Sequence, residues 1–147
     1  MCAVKDVFAG EIVGYSIDSR MKACLAVDAL EMAVTHRGHP TGVVVHSDRE
    51  SRFRSRKLVR VLARHTLLGS MGKVGAAGDN AAMESFFALP QRDLFDQRSW
   101  TTRDELRLAI IHWIERTYHR RRRQRRLGKL TPVEFETIME DAVTLAA

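Results

Sequence analysis

Residues 72–87 combine a glycine-rich loop with the start of a helix, and they constrain this chain more than any other stretch. Glycines stand at positions 72, 75 and 78, and because glycine reaches backbone angles that other residues avoid, this part is predicted to be a mobile loop. Asp79 or Asn80 can then cap a helix by accepting hydrogen bonds from its unpaired first amides. Glu84 lies one turn inside that helix, next to Phe86 and Phe87, which can anchor it to a core. The pattern therefore predicts a carboxylate held on a rigid element at the edge of a flexible loop.

The first half of the chain alternates between short β-rich runs and helical patterns. Residues 2–4 and 11–17 are predicted to be two antiparallel strands joined by a turn. Ser19 can cap a helix over residues 21–35, and a second helix is expected over residues 56–65. The β-branched run 42–46 is bounded by turn signals, which is typical of a buried strand, and residues 67–70 form a brief further strand. This order of elements predicts an α/β fold.

The second half is predicted to be helical. Pro90 falls inside the helix that carries Glu84, and an interior proline loses a backbone hydrogen bond, so we expect a kink or a break there. Thr102 and Glu105 have the spacing of a capping box at the start of the next helix. Thr131 and Glu134 form a second capping box, and the last helix is expected to run to about residue 143.

Composition indicates one folded domain spanning residues 1–147. The hydrophobic content of 45% is ordinary for a globular protein, and no apolar run approaches the roughly 20 residues that a membrane helix needs. Charged residues interrupt the first 22 positions, so no signal peptide is expected. The two cysteines, Cys2 and Cys24, favour a reducing compartment without a disulfide framework. These features predict a cytoplasmic protein, associated with the nucleoid if it binds DNA, with no membrane partner.

The basic charge of the chain is concentrated in one place. The net charge is +6. Of the 24 Lys and Arg residues, 18 are balanced by the 18 Asp and Glu residues, which leaves an excess of six positive charges. The excess comes from six arginines within seven positions: Arg120, Arg121, Arg122, Arg123, Arg125 and Arg126. Such a dense patch favours a phosphate-rich partner, and the alternative is a solvated basic surface.

Asp48 and Glu84 are the carboxylates predicted to carry chemistry. Asp48 directly follows the predicted strand 42–46, whereas Glu84 lies at the start of a helix, with 35 residues between them. Carboxylates held in this way can bind Mg²⁺, a hard ion that prefers oxygen ligands and keeps several waters. Because the chain has 18 acidic residues, the spacing alone leaves open that both are ordinary surface carboxylates.

Three segments, in this order and with this spacing, resemble the catalytic core of insertion-sequence transposases. They are residues 46–49 (His-Ser-Asp-Arg), 78–87 (Gly-Asp-Asn-Ala-Ala-Met-Glu-Ser-Phe-Phe) and 127–135 (Leu-Gly-Lys-Leu-Thr-Pro-Val-Glu-Phe). The resemblance is to the group whose second reading frame is similar to retroviral integrases, and it covers about residues 2–136.

The resemblance implies a ribonuclease H-like fold, a mixed five-stranded sheet flanked by helices. It also implies a metal site of two aspartates and one glutamate that joins transposon ends to target DNA with Mg²⁺ or Mn²⁺. Asp48 matches the second aspartate and Glu84 the glutamate, while Asp79 and Asn80 match supporting positions beside the active site. The six arginines, together with Lys73, are expected to contact DNA.

The chain also departs from the family pattern, in which the first catalytic aspartate lies on a strand upstream of residue 1. Asp6 matches an aspartate on the next strand, so the first catalytic role is not assigned to it. We therefore expect a core truncated at its N-terminus, with the first strand missing and weak metal binding. Such a chain should show little or no strand transfer alone, and it should associate with full-length transposase or with itself.

Two function hypotheses remain open at this point. In the first, the chain is a metal-dependent transposase or integrase core that cuts and joins DNA phosphodiesters. In the second, it is a non-catalytic remnant that binds DNA or inhibits full-length transposase. A nuclease for RNA–DNA hybrids with the same fold is a weaker third, because the 35-residue gap and residues 127–135 resemble integrases more closely.

Overall fold

The computed structural model describes residues 1–18, 23–72, 81–97 and 99–146. The predicted cap Ser19 and the predicted site residues Lys73, Asp79 and Asn80 lie outside these ranges. The chain forms two compact units, one built from Met1–Lys5 and Val13–Glu84, the other from Asp6–Ile12 and Ser85–Ala147. In the described part of the chain, no helix is long and apolar enough to cross a membrane.

The first sheet of unit one pairs β1 (Cys2–Lys5) with β2 (Ile12–Ser16). The connection between the two strands is too short for a parallel crossover, which needs a dozen or more residues. A hydrogen bond from the Asp6 N–H to the Glu11 carbonyl, 2.8 Å long, closes it. This arrangement agrees with the hairpin predicted from the sequence.

Two helices, α1 (Ala23–His36) and α2 (Arg56–Arg64), supply most of the core of unit one. Ser55 caps α2 by accepting a hydrogen bond from the Leu58 N–H. The buried cluster comprises Cys2, Leu25, Ala26, Ala29, Leu30, Val34, Leu58, Val61 and Leu67. Val4 of β1 and Val45 pack against the same cluster.

The second sheet of unit one pairs β3 (Val44–Ser47) with β4 (Leu68–Met71) in parallel, with Val44 opposite Leu68. The prediction that residues 42–46 form a buried strand is wrong. Val45 packs against the core cluster, but Val43 and Val44 are exposed. Successive strand residues point to opposite faces, and only one face of this pair rests on the core.

The four described strands thus form two separate two-stranded sheets. The five-stranded sheet implied by the resemblance is not continuous in the described part of the chain, because no strand there pairs with both β1 and β3. The mixture of strands and flanking helices nevertheless agrees with the predicted α/β class.

Pro90, where the sequence predicted a kink or a break, marks a change of helix type. Helix α3 (Ala81–Pro90) ends at this buried proline, and a π-helical segment, Gln91–Phe95, follows at once. The Asp96 N–H donates to the Gln91 carbonyl at 2.9 Å, a bond that spans five residues. The missing N–H of proline thus coincides with a break in the α-helical hydrogen bonding.

Unit two continues with α4 (Arg103–His112), a second π-helical segment, Trp113–Tyr118, and a short 3₁₀ turn, Arg125–Leu127. It ends with α5 (Pro132–Ala146). Its core contains an aromatic cluster in which the Phe86 ring lies 5.2 Å from that of Tyr118 and 6.1 Å from that of Trp113.

The two threonines of the predicted capping boxes, Thr102 and Thr131, both cap their helices. Thr102 Oγ1 accepts a hydrogen bond from the Glu105 N–H at 3.1 Å, although the Glu105 carboxylate bonds to the Thr101 N–H, one residue earlier than in a standard box. Thr131 and Glu134 form the complete box, with Glu134 Oε2 accepting from the Thr131 N–H at 2.9 Å and Thr131 Oγ1 accepting from the Glu134 N–H at 3.2 Å. Each cap satisfies amides that would otherwise be unpaired at a helix start.

Candidate active site and nucleic-acid surface

Asp48 directly follows β3, as the sequence predicted, and its side chain is half-buried. Its Oδ1 accepts a hydrogen bond of 2.9 Å from the Glu50 N–H, which is the geometry of an aspartate that closes its own turn. Among the described residues, no hydrogen bond or ion pair engages the second oxygen, Oδ2. One carboxylate oxygen therefore fixes the side chain, and the other is available to a ligand.

Arginines surround the turn that carries Asp48. Arg49 Nε donates to the carbonyl of Gly72 at 2.7 Å, which ties this turn to the residue just before 73–80. Arg52 forms an ion pair with Glu50 and lies over the Phe53 ring at 5.1 Å. The Arg49 contact joins segments that are 23 residues apart, so no local pattern indicated it, whereas the Arg52 contacts are with its neighbours in sequence.

The Asp48 carboxylate acts electrostatically on Cys2, the first residue of β1. Burial raises the pKa of the Cys2 thiol, the nearby Asp48 carboxylate raises it further, and the Arg52 guanidinium and the chain's amino terminus partly offset the rise. Cys2 therefore stays a neutral thiol within the core of unit one and is a packing residue, not a nucleophile.

Glu84 lies in the first turn of α3, again where the sequence placed it, and its side chain is exposed. A carboxylate in the first turn interacts favourably with the helix dipole. Lys5 Nζ donates to the carbonyl of Ala82 at 3.4 Å, which connects the start of this helix to β1. In the described part of the chain, the Glu84 carboxylate makes no hydrogen bond or ion pair. Asp48 and Glu84 belong to the same compact unit.

Two carboxylates with available oxygens suit a hard divalent cation, which would complete its coordination with water. Within residues 1–18, 23–72, 81–97 and 99–146, no group of three or more His, Cys, Asp or Glu side chains could hold a metal ion. At no one place do the described residues therefore supply more than two such side chains.

The predicted DNA-contacting arginines lie in unit two, after the second π-helical segment. Arg122 is half-buried, whereas Arg120, Arg121 and Arg125 are exposed. Arg123 and Arg126 are also exposed, and each donates a hydrogen bond to a backbone carbonyl. The run is therefore an accessible cationic surface, part of which also supports neighbouring loops.

Buried polar contacts hold the segment that leads into this surface. The Tyr118 hydroxyl donates to the Gly10 carbonyl at 3.0 Å, and burial raises the pKa of this phenol. His119 Nε2 accepts a hydrogen bond of 3.1 Å from the Ile12 N–H, so the ring proton of the neutral histidine is on Nδ1. The position of His119 beside a charged run gave no sign of this buried bond.

Comparison with known proteins places these features in a family. Two family models, both described as integrase core domain, match residues 1–77 and 84–139. The chain is 37% identical over 136 residues to the transposase InsF for insertion sequence IS3A of Escherichia coli K12, covering 92% of the chain and 47% of that protein. It is 40% identical over 131 residues to the transposase for insertion sequence element IS629 of Shigella sonnei, covering 89% of the chain and 44% of that protein. The chain therefore spans about half the length of these relatives.

A solved structure has the same fold. The catalytic core domain of HTLV-2 integrase, determined in complex with magnesium in a trimeric form, superposes with a TM-score of 0.61. The match covers 89% of this chain and 80% of that chain at 16% identity. This likeness confirms the predicted ribonuclease H-like fold. The two family models, of which the first alone matches more than half of the chain, show that the chain belongs to the integrase core domain family.

Proposed function

We propose that this chain is the catalytic-core portion of an insertion-sequence transposase, acting on DNA by metal-dependent phosphodiester cleavage and strand transfer. The observation that carries the proposal is the placement of two carboxylates in one compact unit: Asp48 at the end of β3 and Glu84 in the first turn of α3. Membership of the integrase core domain family supports it, as do the relatives named as transposases. We extend the assignment to residues 1–147 as one integrase-core-like domain.

Asp48 and Glu84 are the proposed catalytic and metal-binding residues, and Asp79 and Asn80 are proposed to support them. Asp48 and Glu84 would hold a Mg²⁺ or Mn²⁺ ion, which would supply Lewis-acid stabilisation of the negative charge that develops on the phosphodiester oxygens. The Glu50 N–H holds Asp48 Oδ1, so Oδ2 is the oxygen available to the ion. The magnesium in the HTLV-2 integrase core structure supports the choice of metal.

DNA, comprising transposon ends and target, is the proposed substrate and partner. Arg120, Arg121, Arg122, Arg123, Arg125, Arg126 and Lys73 are the proposed contacts. Exposed arginine side chains neutralise backbone phosphates irrespective of sequence, and most of this run is exposed. The protein would then work on DNA in the cytoplasm, at the nucleoid.

We also propose that the chain shows little strand transfer on its own. The described residues supply two carboxylates and no cluster of three potential ligands, so divalent ions should bind weakly. We propose full-length transposase as a partner that supplies a third carboxylate.

Self-association is the other proposed interaction. The β3–β4 pair is parallel and leaves Val44 and Leu68 exposed, whereas parallel sheets are normally covered on both faces. A second copy of the chain could cover this surface.

The alternative function is a non-catalytic DNA-binding remnant that associates with full-length transposase and inhibits it. The same lack of a three-ligand cluster within the described residues favours it. The two functions differ in one measurable property, which is whether any cleavage depends on Asp48 and Glu84.

The test is nicking and strand transfer on supercoiled DNA with Mn²⁺ or Mg²⁺, comparing the chain with Asp48→Asn and Glu84→Gln. Asp28→Asn is the matched control, because it removes an exposed carboxylate from α1 of the same unit. Asparagine at position 48 can still accept the Glu50 N–H hydrogen bond, so this variant should keep its local geometry. Metal binding is followed separately as the rise in melting temperature on adding Mn²⁺.

We expect salt-sensitive DNA binding by all four proteins and no strand transfer by the chain alone. The Mn²⁺-induced rise in melting temperature should be small in the unmodified chain and in Asp28→Asn, and lost in both site variants. Cleavage that disappears in both site variants would contradict the proposed inactivity and identify a working enzyme. Cleavage or Mn²⁺ binding that survives both substitutions would contradict the assignment of Asp48 and Glu84.

A further inference from the structure

Within the arginine run, Arg123 and Arg126 have different surroundings from Arg120 and Arg121. Arg123 Nη1 donates to the Lys129 carbonyl at 3.1 Å, and its Nη2 pairs with Glu134 at 3.3 Å. Arg126 Nη2 donates to the Phe8 carbonyl at 3.2 Å. These two guanidinium groups therefore use part of their hydrogen-bonding capacity for contacts within unit two.

Arg120 and Arg121 instead line a cavity. The cavity, which Arg116 and Glu115 also line, has a volume of about 600 Å³ and lies in unit two. All three arginines are exposed, and within the described part of the chain none of their guanidinium groups makes a hydrogen bond or an ion pair. Arg116 lies outside the arginine run at positions 120–126.

The backbone explains why the three arginines converge. They stand at positions 116, 120 and 121, which are four and five residues apart, and the π-helical segment Trp113–Tyr118 ends between them. The N–H groups of Arg121 and Arg122 both donate to the Thr117 carbonyl, at 3.1 and 2.9 Å. Bonds that span four and five residues bring residues with these spacings to one side of the helix.

The cavity wall is held on its buried side. Tyr118 and His119 lie between the cavity residues in sequence and are both buried. Their bonds to the Gly10 carbonyl and the Ile12 N–H fix the backbone that carries the arginines. With this backbone fixed, only the arginine side chains have to become ordered when a ligand binds.

The charge of the cavity is unbalanced. Three guanidinium groups face one carboxylate, and Glu115 also lies 3.5 Å from His119 Nδ1. Like charges held one turn apart repel each other, so an anion in the cavity would relieve a repulsion present in the free protein. Guanidinium groups bind phosphate through paired N–H donors.

We propose that Arg116, Arg120 and Arg121 form a phosphate-binding cleft that takes a backbone phosphate of DNA. This assignment rests on the proposed action on DNA, and it adds Arg116, which no motif indicated. It also separates these arginines from Arg123 and Arg126, whose substitution should lower stability as well as DNA binding.

The test is the salt dependence of binding to a duplex of arbitrary sequence, measured by fluorescence anisotropy for the unmodified chain, Arg116→Gln and Arg120→Gln. Arg107→Gln is the matched control, because it removes the same charge from an exposed position on α4 of the same unit. Thermal melting confirms that each variant folds.

The logarithm of the DNA association constant falls as the logarithm of the salt concentration rises. Each cleft substitution should make this slope shallower by about one, since one phosphate contact is lost. Arg107→Gln should leave the slope unchanged. If Arg116→Gln bound DNA as Arg107→Gln does, the cleft assignment would be overturned while the proposed action on DNA stood.

A second arm uses inorganic phosphate and follows the melting temperature. If the unmodified chain bound no DNA, the proposed function would fail. A phosphate-induced rise in melting temperature that is absent in Arg116→Gln would still support the cleft, as a site for free phosphate. No rise in the unmodified chain, together with no DNA binding, would overturn both proposals.

Discussion

Gly14 shows how closely β2 approaches α1 in unit one. A Cβ atom at this position would lie 2.1 Å from the Ala29 carbonyl oxygen, 2.7 Å from the Ala33 nitrogen and 2.8 Å from the Ala33 Cβ. Two of these neighbours are backbone atoms of a helix, so they cannot rotate away. The contact explains why a glycine stands within a strand otherwise rich in β-forming residues.

We predict that Gly14→Ala lowers the free energy of unfolding by about 1–3 kcal/mol, the range typical of overpacked cores. Urea unfolding followed by circular dichroism measures it. The control is Gly69→Ala in β4, where the nearest neighbour is the flexible Leu62 Cδ1 at 3.2 Å. Equal losses in the two variants would contradict the close approach of β2 to α1.

At the scale of single residues, the sequence located the two carboxylates well. Asp48 and Glu84 were placed at a strand end and a helix start, because local patterns define both positions. The sequence could not show that Arg49 binds the Gly72 carbonyl or that Arg116 lines a cavity with Arg120. Those contacts depend on tertiary packing and on a π-helical segment, and neither leaves a simple periodic signal.

At the scale of elements, the cap of α5 is the best-defined local structure. Glu134 accepts the Thr131 N–H and lies near Arg123. The Thr131 N–H and the Arg123 charge both hold the pKa of the Glu134 carboxyl below its ordinary value of 4.5. A lowered pKa in the folded state means that the carboxylate stabilises the fold above pH 4.5, and that this contribution disappears as pH falls through the lowered pKa.

We therefore predict a loss of stability below about pH 4.5 that Glu134→Gln lacks. Glutamine keeps an acceptor for the Thr131 N–H but cannot titrate. The measurement is urea unfolding at pH 7 and pH 3.5, with Glu140→Gln on the same helix as the control for charge. If the variant and the unmodified chain lost the same stability on acidification, the capping carboxylate would not be the titrating group.

The helices and caps were predictable because their signals are local. Ser, Thr and Glu at fixed spacings, and the proline at position 90, determine where helices start and change type. The exposure of β3 was not predictable in the same way. A run of valines is equally typical of a strand covered on both faces, and only the arrangement of β3 and β4 shows that Val44 is left uncovered.

At the scale of the whole molecule, the fold class followed from the order of the motifs, but the division into two sheets did not. Both β1 and β3 contribute valines to one helical core, yet they belong to different sheets. A two-stranded sheet is marginally stable by itself, so the packing of α1 and α2 against both sheets is the main support of unit one.

The exposed face of β3 and β4 leads to the last prediction, which concerns self-association. Val44 is 59% exposed and Leu68 58% exposed, and the two residues face each other across the strand pair. Burying such side chains against a second copy contributes up to about 1.5–3 kcal/mol each, which is tenfold or more in the dissociation constant. We predict concentration-dependent dimers in sedimentation velocity that Val44→Lys with Leu68→Lys weakens at least about tenfold. The control places the same substitutions at Val143 and Leu145, exposed apolar residues of α5. Monomers at every concentration, or equal weakening by both pairs, would show that this face is not where copies of the chain meet.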